Sequence, residues 1–348
     1  MTYERISSAC LRVRACRHPL RSARRPASLI FSLGVRWAHP DQETTAVPKH
    51  SSERAGEDML DRLYPQYAER AARRVAEEQD GGDDDGPVDG DRWSTWDRSA
   101  AGERGPQPYP DWLVTELAAV DTELGILKTG KEADVFLVER AVPGTGRAML
   151  MAAKRYRDAA HRMFHRDAGY IEGRRVRESR VNRAVAKRTA FGKEAIAGQW
   201  ANAEFAALSR LWQAGAAVPY PIQLLGTELL MEFIGDPDGT AAPRLAQLRP
   251  SPADLEDLWA QLGHSLSLMA MDGFAHGDLS AYNVLVHGGE LFVIDVPQIV
   301  DVIGNPRGRS FLERDVRNVG AWFVAQGLPA WRVDALAADL CADAGLSR

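Results

Sequence analysis

Asp278 stands five positions ahead of Asn283 in HGDLSAYNVL (276–285), and Asp295 closes the apolar run LFVID (291–295). Two carboxylates and an amide at these offsets suit phosphoryl transfer from a nucleotide. The phosphates are anionic and need metal ions. An amide and a carboxylate hold the metals, while another carboxylate orients the attacking group or takes its proton. Asp278 suits that last role, and Asn283 and Asp295 suit the metal. A single loop Asp is more often a cap or turn residue. The three offsets together, with a hairpin between them, carry the chemical reading.

Such a site also needs a cation for the α- and β-phosphates, usually supplied by the third strand. Lys154 ends the apolar run AMLMAAK. Its partner carboxylate should come from the next helix, where Glu204 sits among apolar neighbours in WANAEFAAL. Glu194 competes for the role but stands at the helix start, where acids act as caps. Upstream, GILKTGKE reads almost as a Walker A loop, with Glu132 in place of the required Ser or Thr. The alternating ADVFLVER that follows is a strand pattern, whereas a Walker loop leads into a helix. Thr129, Gly130, Lys131 and Glu132 are therefore expected to form a strand–turn–strand lid over phosphates, with Gly130 permitting close backbone approach. An ordinary hairpin turn is the plain alternative.

The elements that must position these groups follow from periodicity. ELGILK and ADVFLVER read as strands around TGKE, and AMLMAAKRY (148–156) as a third. EAIAGQWANAEFAALSRLWQAG (194–215) reads as a helix stopped at Gly215. IQLLG and ELLMEFIG read as two strands joined at Gly226-Thr227. In the second half, residues 251–273 open a helix with Ser251 as N-cap and Pro252 at its first position. NVLVH and LFVID flank Gly288-Gly289 as a hairpin. SFLERDVRNVGAWFVAQG begins with Ser310 and Glu313 at capping-box spacing, and a last helix starts near Pro329. Residues 111–120, DWLVTELAAV, have helical apolar spacing behind an acidic cap.

The chain has 348 residues, of which 45% are hydrophobic, enough for a sizeable core. Its net charge of -5 does not advertise nucleic acid, so charge is read locally. Cys10, Cys16 and Cys341 provide neither a disulfide framework nor zinc spacing, which suits a reducing cytoplasm. No run of about 18 apolar residues marks a membrane span. The first 40 residues are rich in Arg and Ser. A transit peptide, a disordered tail and sequence upstream of the true start all fit them. DGGDDDGPVDGD (80–91) is an acidic linker that cannot bury apolar surface, and 59–79 has the pattern of a short amphipathic helix. The expected division is a largely unstructured extension over 1–110 and a folded domain over 111–348. That domain splits into a small lobe over about 111–232 and a larger one over about 235–348.

TGKEADVF, MEFIG, HGDLSAYNVL and IDVPQ together resemble the RIO-type atypical serine/threonine protein kinases, over roughly 111–325. The resemblance implies an α+β, bilobal protein-kinase-like fold: a small β-rich N-lobe, a reduced helical C-lobe, an extra N-terminal helix and no activation segment. It implies Asp278 as the catalytic Asp, Asn283 and Asp295 as ligands of Mg²⁺ (or Mn²⁺), and Lys154 as the ATP anchor with Glu204 as its partner. Met231, Glu232 and Ile234 would belong to the hinge that receives adenine. In this family the residue at the Asp295 position can itself become phosphorylated. Two departures stand out: Gly277 where the family often has Ala, and Pro297 where Ser is frequent. The resulting H-G-D form is common in aminoglycoside-type phosphotransferases.

Only 53 positions follow Asp295, too few for an activation loop, an A-P-E segment and peptide-binding helices. Without that shelf the phosphate acceptor stays open. A protein kinase, an ATPase working through an aspartyl phosphate and a small-molecule phosphotransferase all remain in view. An RNA- or ribosome-binding module switched by ATP is a reading from a different class. Residues 154–193 carry nine more basic than acidic side chains. They read either as a solvated insertion or as a docking surface for RNA phosphates.

Overall fold

The computed structural model describes residues 87, 89–157 and 190–346. The basic amino terminus, the candidate helix at 59–79, most of the acidic linker and residues 158–189 of the basic stretch lie outside them.

One half of the described chain is a six-stranded antiparallel sheet. Its spatial order is β1 (Arg92–Trp93), β2 (Val120–Thr129), β3 (Ala133–Val142), β4 (Arg147–Tyr156), β6 (Glu228–Glu232) and β5 (Pro221–Leu225). Helix α1 (Ala190–Ala214) makes the connection from β4 to β5. The other half holds α2 (Pro252–Met271), α3 (Gly308–Ala325) and α4 (Trp331–Asp343). Two ribbons complete it: β7 (Phe274–Ala275) with β10 (Val300–Asp301), and β8 (Val284–His287) with β9 (Glu290–Val293). This is the expected two-lobed α+β arrangement.

Sheet register separates two faces, because side chains alternate along a strand. Phe136 lies opposite Ala153, and Ala153 opposite Leu230. That row joins Trp96, Val114, Met151 and Tyr220 in a core on the outer face. One residue along, Val135 lies opposite Lys154, and Lys154 opposite Leu229. This row faces the helical half, where Leu229 packs into the main core with Leu208, Leu262 and Val316.

The helices form for local reasons that the sequence carries. Ser251 accepts a hydrogen bond from Asp254 N–H at 3.2 Å, Pro252 occupies the first turn, and Gly273 leaves the helix at φ 82°. α3 starts earlier than the sequence suggests. Its N-cap position is Arg307, and the Ser310 hydroxyl donates to the Arg307 carbonyl at 2.8 Å instead of capping. Gly320 permits the tight α3–α4 contact, since a Cβ there would stand 2.6 Å from Val333 Cγ1.

Two expectations fail at the start of the domain. The fold begins before Asp111: Thr95, Trp96, Ser99 and Glu103 are all buried. Residues 111–119 form turns and extended chain, and no α-helix precedes β2 among the described residues. This segment satisfies its backbone on the sheet instead. Leu113 carbonyl accepts from Arg147 Nη2 at 2.8 Å, and Val114 N–H donates to Met149 Sδ at 3.3 Å. Trp112 meets the Tyr220 ring edge-on at 5.9 Å. Gly105 lies so close to β5 that a Cβ would stand 2.0 Å from the Pro221 carbonyl oxygen. Residues 91–119 thus cover the outer face of the sheet as a strap.

Candidate active site

The segment 276–283 runs between β7 and β8, and Asp295 follows β9, so the two ribbons hold both pieces of the candidate site. The pieces are tied together directly. Ile294 N–H donates to Asn283 O at 3.0 Å, and His276 Nε2 donates to Ile294 O at 3.0 Å. The His tautomer follows from its other nitrogen, which accepts Asp278 N–H at 3.3 Å. Asn283 Nδ2 donates to Asp278 O at 2.9 Å, which leaves its Oδ1 oxygen to face a cation or accept a hydrogen bond. Both backbone groups of Asp278 are therefore engaged, while its side chain is exposed.

Lys154 is where distant segments converge. Its Nζ lies 2.8 Å from the Glu204 carboxylate of α1 and 2.7 Å from Asp295 Oδ1. Burial opposes the charge on Lys154, but Glu204 and Asp295 outweigh it and hold its pKa above the usual lysine range. Asp295 shows the reciprocal effect: burial pushes its carboxyl up, yet Lys154 draws it below the ordinary value. Asp295 also has φ 66°, the one non-glycine residue with positive φ among those described. Such backbone is strained by about 1–3 kcal/mol and clusters at functional sites.

Thr129, Gly130, Lys131 and Glu132 make the β2–β3 turn, and β3 follows as a strand, so the Walker-type alternative does not hold. Gly130 N–H donates to Ala133 O at 2.9 Å, and a Cβ on Gly130 would stand 2.8 Å from that oxygen. Glu132 O accepts Arg157 N–H at 2.8 Å, which ties the turn to the end of β4.

The hinge candidates leave β6. Met231 pairs with Ala152, and Ala152 with Leu137, in a row on the same face as Lys154. This row is an apolar ceiling suited to a planar base. The loop beyond the hinge comes close to it, since a Cβ on Gly239 would stand 2.9 Å from Leu137 Cδ2. Glu232 turns its carboxylate to Tyr220 N–H at 3.0 Å. Ile234 is buried and its carbonyl accepts Ala242 N–H at 2.9 Å, so that carbonyl is already engaged.

Three contributors escape sequence reasoning. Tyr156 donates its hydroxyl to Glu204, and Lys154 Nζ lies 5.2 Å from the Tyr156 ring centroid. Ala152 was hidden inside an apolar strand, although its spacing of two from Lys154 places both on one face. Asp315 accepts from Gly277 N–H at 2.7 Å and from Leu279 N–H at 3.3 Å, clamping the loop from below. Burial raises its pKa, against the pull of His276 and those amides. The available signal was an acid on an apolar helix face: Leu312, Asp315, Val316 and Val319 are all buried on α3.

Gly277 answers a backbone demand. Its φ is 85°, and a Cβ would stand 2.4 Å from the Gln298 carbonyl oxygen. Gly277→Ala should therefore lower stability by about 1–3 kcal/mol and displace Asp278, read as a lower melting temperature together with lower turnover. Wild-type values for both would show that the loop relaxes without cost.

The comparisons with known proteins follow the same span. A family model described as RIO domain matches residues 146–336. The chain is 35% identical to RIO-type serine/threonine-protein kinase Rio1 of Haloferax volcanii, covering 61% of this chain and 66% of that one. It is 32% identical to serine/threonine-protein kinase RIO1 of Caenorhabditis elegans, over 60% of this chain and 38% of the relative. Thus it spans just under two thirds of the first relative and well under half of the second. A crystal structure of the Rio2 kinase from Chaetomium thermophilum aligns with a TM-score of 0.43 and 20% identity, covering 65% of this chain and 68% of that one. With the family model covering more than half of its length, this chain belongs to the RIO domain family.

Proposed function

We propose that this chain is an ATP- and Mg²⁺-dependent serine/threonine protein kinase of RIO type. The observation that carries the reading is the meeting at Lys154 Nζ, where β4, α1 and the residue after β9 bring one cation and two carboxylates within 2.8 Å. Pairing of the strand Lys with a helix Glu is a condition for phosphoryl transfer in protein kinases. Here the Tyr156 hydroxyl donates to the same Glu carboxylate.

The roles follow from chemistry. Lys154 meets the α- and β-phosphates. Turn residues 129–132 cover them, and the Leu137–Ala152–Met231 row packs on adenine. Asp278 orients the acceptor hydroxyl and takes its proton. Among the described residues no cluster of three or more His, Cys, Asp or Glu side chains could cage a metal. Asn283 and Asp295 offer one amide and one carboxylate, hard oxygen donors that suit Mg²⁺ arriving on substrate phosphates. When bound, the metal supplies charge neutralisation at the phosphates.

With only residues 296–307 between Asp295 and α3, and no peptide shelf among the described residues, Asp295 itself is a candidate phosphate acceptor, and hydrolysis of that acyl phosphate would make the enzyme an ATPase. Cytoplasm is the compartment proposed, consistent with the cysteine usage. No described helix is long and apolar enough to cross a membrane. RNA or a ribosomal particle is the partner proposed for the basic stretch.

A γ-labelled ATP screen over proteins, alcohols and amino sugars tests the reading. Label is expected on protein Ser or Thr hydroxyls, or as hydroxylamine-labile label on the chain itself, with the position Asp295 read by mass spectrometry from its reduction to homoserine by borohydride, which releases the labelled phosphate. Label moving only to a small alcohol or amino sugar would favour a small-molecule phosphotransferase, and intact ATP in every arm would contradict both.

A further inference from the structure

We propose that Lys128 is a second phosphate-binding cation of the nucleotide site, meeting the terminal phosphate beyond the reach of Lys154. This deepens the kinase reading and rests on it. Lys128 lies ahead of the span matched by the family model, so that match does not bear on it.

Register places the residue. Lys128 lies opposite Val135, and Val135 lies opposite Lys154, so the three share one face of the sheet. A β-bulge brings this about. Ile126 pairs with Phe136, and the register shifts before Lys128 pairs with Val135. Regular pairing would set Leu127 opposite Val135. The extra residue moves Lys128 onto the cleft face instead, and bulges commonly re-aim a side chain beside a site.

Direction identifies the phosphate. The hinge leaves β6, and the order β6, β4, β3, β2 leads away from it. A triphosphate whose base sits at the hinge must run the same way. With strands about 4.8 Å apart, the Lys128 backbone stands about 10 Å beyond that of Lys154.

Charge supports the assignment. Lys154 already has two carboxylates, whereas Lys128 makes no ion pair among the described residues. Partial burial and the Arg244 guanidinium push its pKa below the usual range, with Asp295 pulling the other way. A terminal phosphate would relieve this imbalance between Lys128 and Arg244.

The test is calorimetric titration of wild type, Lys128→Ala and Lys128→Arg with three Mg²⁺-supplemented ligands: a non-hydrolysable ATP analogue, ADP and adenosine. Lys128 belongs to neither hydrophobic core, so both variants should fold. Lys128→Ala should bind the triphosphate about tenfold or more weakly, the scale of a charged hydrogen bond. Lys128→Arg should retain most of that affinity, and all three proteins should bind ADP and adenosine alike. Equal triphosphate affinity in wild type and Lys128→Ala overturns the assignment and leaves the kinase reading standing. A parallel loss for ADP overturns it too, because Lys128 would then support the lid as a whole. If wild type binds none of the three, the kinase reading itself fails and the assignment falls with it.

Discussion

Asp278→Asn should lower turnover by about a hundredfold or more, the usual scale for a lost general base, while ATP affinity stays near wild type. The substitution keeps the shape of the side chain. The loop is held through the backbone N–H and carbonyl of residue 278, by His276 and Asn283, so its geometry does not depend on the carboxylate. Lys154→Ala should give the opposite division, with weaker nucleotide binding and misplaced phosphates. It also removes the cation that Glu204 and Asp295 share, leaving a buried Glu204 without its ammonium partner. Steady-state rates and nucleotide titration separate the two patterns. Wild-type turnover in both variants would show that the site lies elsewhere.

Asp121→Ala should destabilise the domain by about 3–5 kcal/mol, because it strands a buried charge. Arg140 is fully buried and grips Asp121 through two bonds, Nε to Oδ1 at 2.6 Å and Nη2 to Oδ2 at 2.9 Å. Its Nη1 donates to Gln223 Oε1 at 3.3 Å, and Gln223 in turn donates to Thr95. One ion pair thus joins β2 and β3, and through Gln223 reaches β5 and the strap. A double variant, Asp121→Leu with Arg140→Met, should recover much of the loss, since a packed apolar pair avoids the desolvation of two charges. Urea denaturation of the single and double variants measures this. A loss below about 1 kcal/mol for Asp121→Ala would mean that water reaches Arg140.

The contrast between these two sites explains what could be read in the sequence. Asp278, Asn283 and Asp295 stand at short fixed offsets on one hairpin-bearing stretch, so their chemistry is local in sequence. Lys154 and Glu204 could be paired because Lys154 ends an apolar strand run and Glu204 sits among apolar neighbours on the next helix. The strands and helices from β2 to α4 follow the same periodicity. Asp121 and Arg140 carry no such mark. A charge within a strand looks solvent-facing until a strap covers that face, and the strap itself carries helical apolar spacing. DWLVTELAAV has apolar residues at helical spacing, yet Leu113 and Val114 are both buried and Leu117 is 79% exposed, a pattern that no single helix face gives. Long-range partners, Met149, Arg147 and Tyr220, decide that segment's conformation and override its local preference. Asp315 is similar, because its partners lie 36 and 38 residues earlier in the chain.

The most direct measurement is a structure of the chain with Mg²⁺ and a non-hydrolysable ATP analogue. Adenine is expected against Leu137, Ala152 and the 231–234 segment, with the α- and β-phosphates at Lys154 and metal between the phosphates and the Asn283–Asp295 pair. Asp278 should stand within hydrogen-bond reach of an acceptor placed in line with the γ-phosphate. Nucleotide bound away from Lys154, or metal bound without Asn283 and Asp295, would contradict the assignment of this cleft as the site of phosphoryl transfer.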